Sequence, residues 1–146
     1  MKLRALAVTA AALTVGTALA ILGPASPAVG FFSPPLLLDV HIQPTATLVA
    51  KGAAVETRID VTCAGAAYAY FNVSVVQRVG SEVATGYSSS DQLVCTGQRD
   101  THIVLVMAQS GKAFKKGPAV IEANIFGCAY SGCGSEDDQA TVDITQ

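Results

Sequence analysis

A small all-β domain, an immunoglobulin-like antiparallel β-sandwich of about seven strands, is the fold class that three features of this 146-residue sequence predict. Apolar residues recur with a period of two from Leu36 to the C-terminus. Turn-forming pairs interrupt that alternation roughly every dozen residues. No window beyond residue 28 sustains a helical spacing. An up-and-down or Greek-key barrel satisfies the same pattern and stays open as the alternative.

The strands follow in order. Leu38, Val40 and Ile42 alternate with polar neighbours over residues 36–43, and Val55, Thr57, Ile59, Val61 and Cys63 alternate with Glu56, Arg58, Asp60 and Thr62. That second run is the clearest half-buried strand and puts Cys63 on the inward phase. From Tyr68 to Val79, Phe71, Val73 and Val75 share one face, with Asn72, Ser74 and Val76 on the other. Val83 to Cys95 is serine-rich and ends in a short strand, Leu93-Val94-Cys95. Thr101 to Ala108 is apolar on both faces, as a central strand would be. Ala119, Ile121, Ala123 and Ile125 mark the sixth strand, and Ala140, Val142 and Ile144 the last, over 139–145. Gly52, Ala64-Gly65, Gly80, Thr96-Gly97, Ser110-Gly111, Gly117-Pro118 and Ser131-Gly132 supply the turns.

Residues 1–28 read as a secretory signal peptide. Lys2 and Arg4 precede an uncharged run from Ala5 to Leu22, and Ser26-Pro27-Ala28 offers small residues for cleavage. Ala18-Leu19-Ala20 is an earlier candidate, so the cut falls between Ala20 and Ala28. Val29 to Pro35 forms a proline-broken arm, and 36–146 the folded domain. The expected location is extracellular, without a membrane anchor after cleavage. Losing Lys2 and Arg4 leaves seven basic against eleven acidic residues in a 118-residue chain. That net charge of −4 argues against nucleic acid as a partner.

All four cysteines, Cys63, Cys95, Cys128 and Cys133, lie in the exported part. An even count in a small exported domain reads as two disulfides, and the spacings lack the paired short gaps of structural zinc. In the expected strand order Cys63, Cys95 and Cys128 end strands at one pole, with Cys133 just beyond. Pairing Cys63 with Cys95 and Cys128 with Cys133 is favoured on that placement. Cys63 with Cys128, across the sheets, would force Cys95 onto Cys133 and stays open. The chain-entropy contributions are ~3.5 kcal/mol for the long loop and ~2 kcal/mol for the short one.

Catalytic chemistry is sparse. His41 and His102 are the only histidines and sit in no recognised motif. Neither a nucleophile elbow nor a zinc-protease motif is present. Glu136-Asp137-Asp138 reads as a solvated turn rather than a calcium loop, because consecutive side chains diverge. Lys112, Lys115 and Lys116 surround Phe114, which is expected to fold onto the core. Tyr68 and Tyr130, on loops beside the staples, form a candidate binding face.

The stretches DVTCAGAAY, LVCTGQ, AFKKGPAV and FGCAYSGCGS, spread over residues 53–135, resemble small exported actinobacterial β-sandwich proteins of unassigned function. The spacing of Cys128 and Cys133 is also similar to the late short-loop disulfide of neocarzinostatin-type apoproteins. Those are secreted sandwiches that hold a chromophore, and the likeness stops at that pair. The expected function is therefore a secreted, monomeric, non-enzymatic binding or structural module without cofactor or metal. Its partner would be an extracellular protein, a glycan or an envelope component. A small-molecule carrier is the first alternative, with Ala119 and Ala123 as small inward residues. A secreted protease inhibitor is the second, with Ala129-Tyr130-Ser131 as its extended loop.

Overall fold

A computed structural model describes residues 35–109 and 111–146. The expected signal peptide and most of the expected arm lie outside the described residues. The rest is all-β: β1 (Leu37–Val49), β2 (Ala54–Ala64), β3 (Tyr68–Val79), β4 (Glu82–Ser89), β5 (Arg99–Ala108), β6 (Gly117–Ala129) and β7 (Gly132–Thr145). A 3-10 turn at Ala50–Gly52 joins β1 to β2.

The strands form one closed barrel in the order β1-β2-β5-β4-β3-β6-β7, which corrects the expectation of a fully antiparallel sandwich. Strand β6 returns to lie beside β3, on the far side from β4 and β5, which is Greek-key topology. Two short joins close the barrel. β1 runs parallel to β7 through Thr45–Asp143, Ala46–Ile144 and Thr47–Thr145. β4 meets β5 only through Gly86–Ala108 and Tyr87–Met107. Alternation alone cannot foretell either join, because it reports which face is buried and not which edges meet.

The interior holds the inward phase of every strand: Val40 and Ile42, Val55 and Ile59, Phe71, Val73 and Val75, Val104 and Val106, Ile121 and Ile125, Val142 and Ile144. β1 is longer than its alternation predicts, because it passes Pro44 and continues. Ile42 faces Ile59 while Ala46 faces Thr57, so β1 advances four residues where β2 advances two. This irregularity keeps the inward phase and lets a proline sit in a strand.

Each pole is closed differently. At one, Phe114 is fully buried and its N–H donates to the Gly52 carbonyl. Gly52 has φ +93°, and a Cβ there would come within 2.1 Å of the Phe114 carbonyl oxygen. The buried Gln77 amide holds the same segment, accepting from the Lys115 N–H and donating to its carbonyl. At the other pole, Cys63 is bonded to Cys95 and Cys128 to Cys133.

Three local expectations change. Leu93-Val94-Cys95 is not a strand, since β4 stops at Ser89 and residues 90–98 are irregular. They are held instead by the Ser90 and Leu93 N–H groups donating to Phe71 and Ala69 carbonyls, and by Cys95. β5 is not buried on both faces: Ile103, Leu105 and Met107 point outward and are exposed. Glu136-Asp137-Asp138 is no turn but lies in β7, opposite Ile125, Asn124 and Ala123.

Candidate functional site

The outward phase of β3 and β6 carries the most distinctive surface. Because β3 alternates, burying Ala69, Phe71, Val73 and Val75 puts Tyr68, Tyr70, Asn72 and Ser74 outside. On β6, burying Ile121, Ala123 and Ile125 leaves Glu122, Asn124 and Phe126 on the same side. The register aligns them in cross-strand rows. Tyr70 faces Phe126, Asn72 faces Asn124 and Ser74 faces Glu122. β7 extends the rows with Ser135, Asp137 and Gln139, and β4 adds Tyr87 beside Ser74.

The rings form one cluster. Tyr70 and Phe126 have centroids 5.5 Å apart, and Tyr68 lies 6.5 Å from Phe126; both pairs are inclined at 42°. Inclined rings share an edge contact and keep part of each face open to solvent. Tyr68 and Tyr70 are 45% and 39% exposed. The Tyr68 hydroxyl donates to Cys128 Sγ at 3.0 Å, which ties the cluster to the short staple.

Next to the rings the surface turns polar. The Tyr87 hydroxyl donates to Asn72 Oδ1 at 2.6 Å, and Asn124 Nδ2 donates to the Glu136 carbonyl at 3.2 Å. Asn72, Ser74, Tyr87, Glu122 and Asn124 line a shallow depression of about 210 Å³. The carboxylates of Glu122 and Asp137 and the hydroxyl of Ser74 take part in no hydrogen bond or ion pair among the described residues. No outward position of β4, β6 or β7 on this face holds a lysine or arginine.

The two tyrosines singled out from the sequence are not brought together. Tyr68 opens β3 and joins the ring cluster, whereas Tyr130 stands 97% exposed at the tip of the β6–β7 turn. Ala129 pairs with Gly132, so Ala129-Tyr130-Ser131 belongs to a two-residue hairpin turn rather than an extended loop. Tyr70, Phe126, Asn124 and Glu122 were missed as site residues. Their signal was present, since carrying the β3 alternation back from Asn72 puts Tyr70 and Tyr68 outside.

A second feature is a cleft of about 450 Å³ where β4 and β5 diverge. Ser88 to Leu93 form one wall and His102 to Leu105 the other, with Phe71 between them. His102 packs on Phe71 at 5.2 Å between ring centroids. The Ala108 N–H donates to the Ala53 carbonyl across the β2 side. Alternation then turns the backbone groups of Ile103 and Leu105 towards the cleft, where no strand among the described residues partners them. His41 lies elsewhere, on the outer surface of β1, with Nδ1 3.3 Å from an Asp138 oxygen. No group of three or more His, Cys, Asp or Glu side chains among the described residues is arranged to hold a metal ion.

No protein-family model matches the chain, and no curated protein sequence matches it. Solved structures that are similar in part include two bacterial proteins. One is AggA, the major subunit of aggregative adherence fimbriae type I from Escherichia coli. It is 12% identical over 77% of this chain and 96% of that one, with a TM-score of 0.43. The other is Spo0M, a sporulation control protein from Bacillus subtilis, 10% identical over 76% of this chain with a TM-score of 0.34. This chain spans about half the length of Spo0M, at 49%. At these scores neither likeness carries a function, and the site rests on its own geometry.

Proposed function

We propose that the chain is an exported, non-enzymatic binding module that engages an extracellular ligand on the outer face of β3 and β6. The Tyr68–Tyr70–Phe126 cluster carries this reading. Aromatic residues cost free energy to leave in water, and an exposed cluster of them matches the composition of contact surfaces.

Export is supported by the two disulfides, which persist in oxidising compartments, and by the leader pattern of Met1 to Ala28. The short joins of the barrel favour an immunoglobulin-like description. β1-β2-β5 and β4-β3-β6-β7 are broad layers, pinched together at two edges. A rigid scaffold of that kind holds a flat face without ordering cost at the moment of binding. The two histidines stand on different surfaces, and among the described residues neither is hydrogen-bonded to a serine, threonine or cysteine.

Oxidised protein carrying Tyr70→Ala and Phe126→Ala, compared with wild type for retention on washed bacterial envelopes, tests the reading. Retention lost in the double variant and kept in Tyr130→Ala supports it. Equal retention of all three sinks it.

The cleft between β4 and β5 favours a small-molecule carrier as the second reading, because its size falls within the range of ligand pockets. A carrier isolated from culture fluid would bring a bound compound visible in its absorption spectrum and native mass.

A further inference from the structure

The chemistry of the β3–β6 face identifies its ligand class. We infer that it binds an uncharged polysaccharide, with pyranose rings seated on Tyr70 and Phe126 and hydroxyls held by Asn72, Ser74, Glu122 and Asn124. The inference rests on the binding-face reading above and adds the ligand to it.

Three observations lead there. The ring cluster offers tilted, partly open aromatic faces along one edge of the surface. The C–H face of a pyranose packs on such rings, while its rim of hydroxyls needs polar partners within the same plane. Those partners stand in the adjoining rows: two carboxamides, each both donor and acceptor, then a hydroxyl and a carboxylate. Asn72 and Asn124 face each other directly, one strand spacing apart, as do Ser74 and Glu122.

The free polar groups separate a sugar from an apolar protein partner. Glu122, Asp137 and Ser74 have no intramolecular bond to give up. Covering them with an apolar protein surface would strand two carboxylates out of water, at a cost no ring contact offsets. Sugar hydroxyls donate to those same carboxylates, and the unbound rim of the sugar stays hydrated. Charge narrows the class further. Glu122 and Asp137 lie in a region with no outward lysine or arginine on β4, β6 or β7, so sulfated and uronic-acid chains are repelled. Arg78, at the far end of β3, is the nearest basic outward residue in that strand.

Length fits a chain rather than a single sugar. From Tyr68 to Ser74 the outward positions of β3 run continuously, and β6 runs beside them from Cys128 to Glu122. A polysaccharide lying along the strands meets rings first and hydrogen-bonding groups next.

The test uses the oxidised chain and three supports: insoluble chitin, insoluble cellulose and immobilised heparin. Retention is expected on chitin or cellulose and not on heparin, the two neutral supports telling acetamido from plain hydroxyl chemistry. Tyr70→Ala and Phe126→Ala should each weaken it by about tenfold or more, a loss of about 1.4 kcal/mol. Tyr130→Ala should bind as wild type. Because Tyr70 is exposed but Phe126 is half-buried, thermal unfolding checks the fold of each variant. Backbone chemical shifts of the wild type with chitotetraose and cellotetraose give a readout independent of mutation. They should move at Tyr70, Asn72, Glu122, Asn124 and Phe126.

No retention on either neutral support overturns the saccharide assignment, as does retention unchanged in Tyr70→Ala and Phe126→Ala. Envelope binding separates the two claims. If Tyr70→Ala and Phe126→Ala abolish it, and protease treatment of the envelopes does too while periodate does not, the face stands and the sugar falls. If the variants leave envelope binding intact, both fall.

Discussion

Asp60 shows how a single polar residue is tolerated against the core. It sits on the outward phase of β2, yet is nearly buried by its neighbours across the strands. The Thr101 hydroxyl donates to Oδ1 at 2.7 Å and the Gln43 amide to Oδ2 at 3.1 Å. The Thr101 bond does most to hold the carboxyl below its ordinary 3.8. Burial works against it, and Gln43, Arg99 and His41 add to the lowering. A depressed folded-state pKa stabilises the fold fully above the ordinary carboxylate range, and that stabilisation fades as pH falls through the depressed value. Asp60→Asn should therefore be less stable than wild type at neutral pH, with the gap closing below about pH 4. Urea unfolding across that range measures it, and a gap independent of pH would contradict the account. At this scale much was legible. Val55, Ile59, Val61 and Cys63 are buried as their phase predicts, and Phe114 is inside. The partners of Asp60 were not, because Gln43 and Thr101 reach it from strands far apart in sequence.

Elements meet at seams, and one seam relies on a side chain. β1 and β7 share only three backbone pairs before they part, at the irregularity around Pro44. Beyond that point the Ile42 N–H has an Asp138 carboxylate oxygen as its acceptor, at 2.8 Å. Asp138→Ala leaves that partly buried N–H without an acceptor and should destabilise the fold by about 1–3 kcal/mol. Hydrogen exchange at Ile42 should rise in the variant; unchanged protection there would refute this role. In sequence Glu136-Asp137-Asp138 resembles a turn, since a run of acids has no apolar phase to reveal a strand. What hid its role was the mate on β1, which only the closed barrel brings near. Edge chemistry also misled the reading of β5. Ile103, Leu105 and Met107 looked like a second buried face, but no layer among the described residues covers them. The candidate face was half legible: Tyr68 was named, while Tyr70 and Phe126 needed the register that sets them opposite each other.

For the whole molecule, the two poles divide the work of closure. One is plugged by Phe114; the other is bonded by sulfur. Cys63→Ala with Cys95→Ala removes a loop of 32 residues and should lower stability by ~3.5 kcal/mol. Cys128→Ala with Cys133→Ala, which opens a separation of 5, should lower it by only ~2 kcal/mol. Denaturant midpoints of the two double variants rank them, and the reverse order would show that the entropic account fails here. The long bridge also anchors residues 90–98 beside the β4–β5 cleft, so its loss should raise protease cutting there before it unfolds the barrel.

The parallel join of β1 with β7 has a kinetic consequence. The Thr145 hydroxyl reaches the Ala46 carbonyl across 99 positions of chain, and the three backbone pairs beside it span nearly as far. Contacts so remote form late, because the entropy of closing the loop precedes any reward. Until they form, β1 and β7 are two bare sheet edges, each a template for a neighbouring molecule. Refolding yield should fall with protein concentration while the folded barrel stays indifferent to it. The hazard belongs to the moments before the ring is shut.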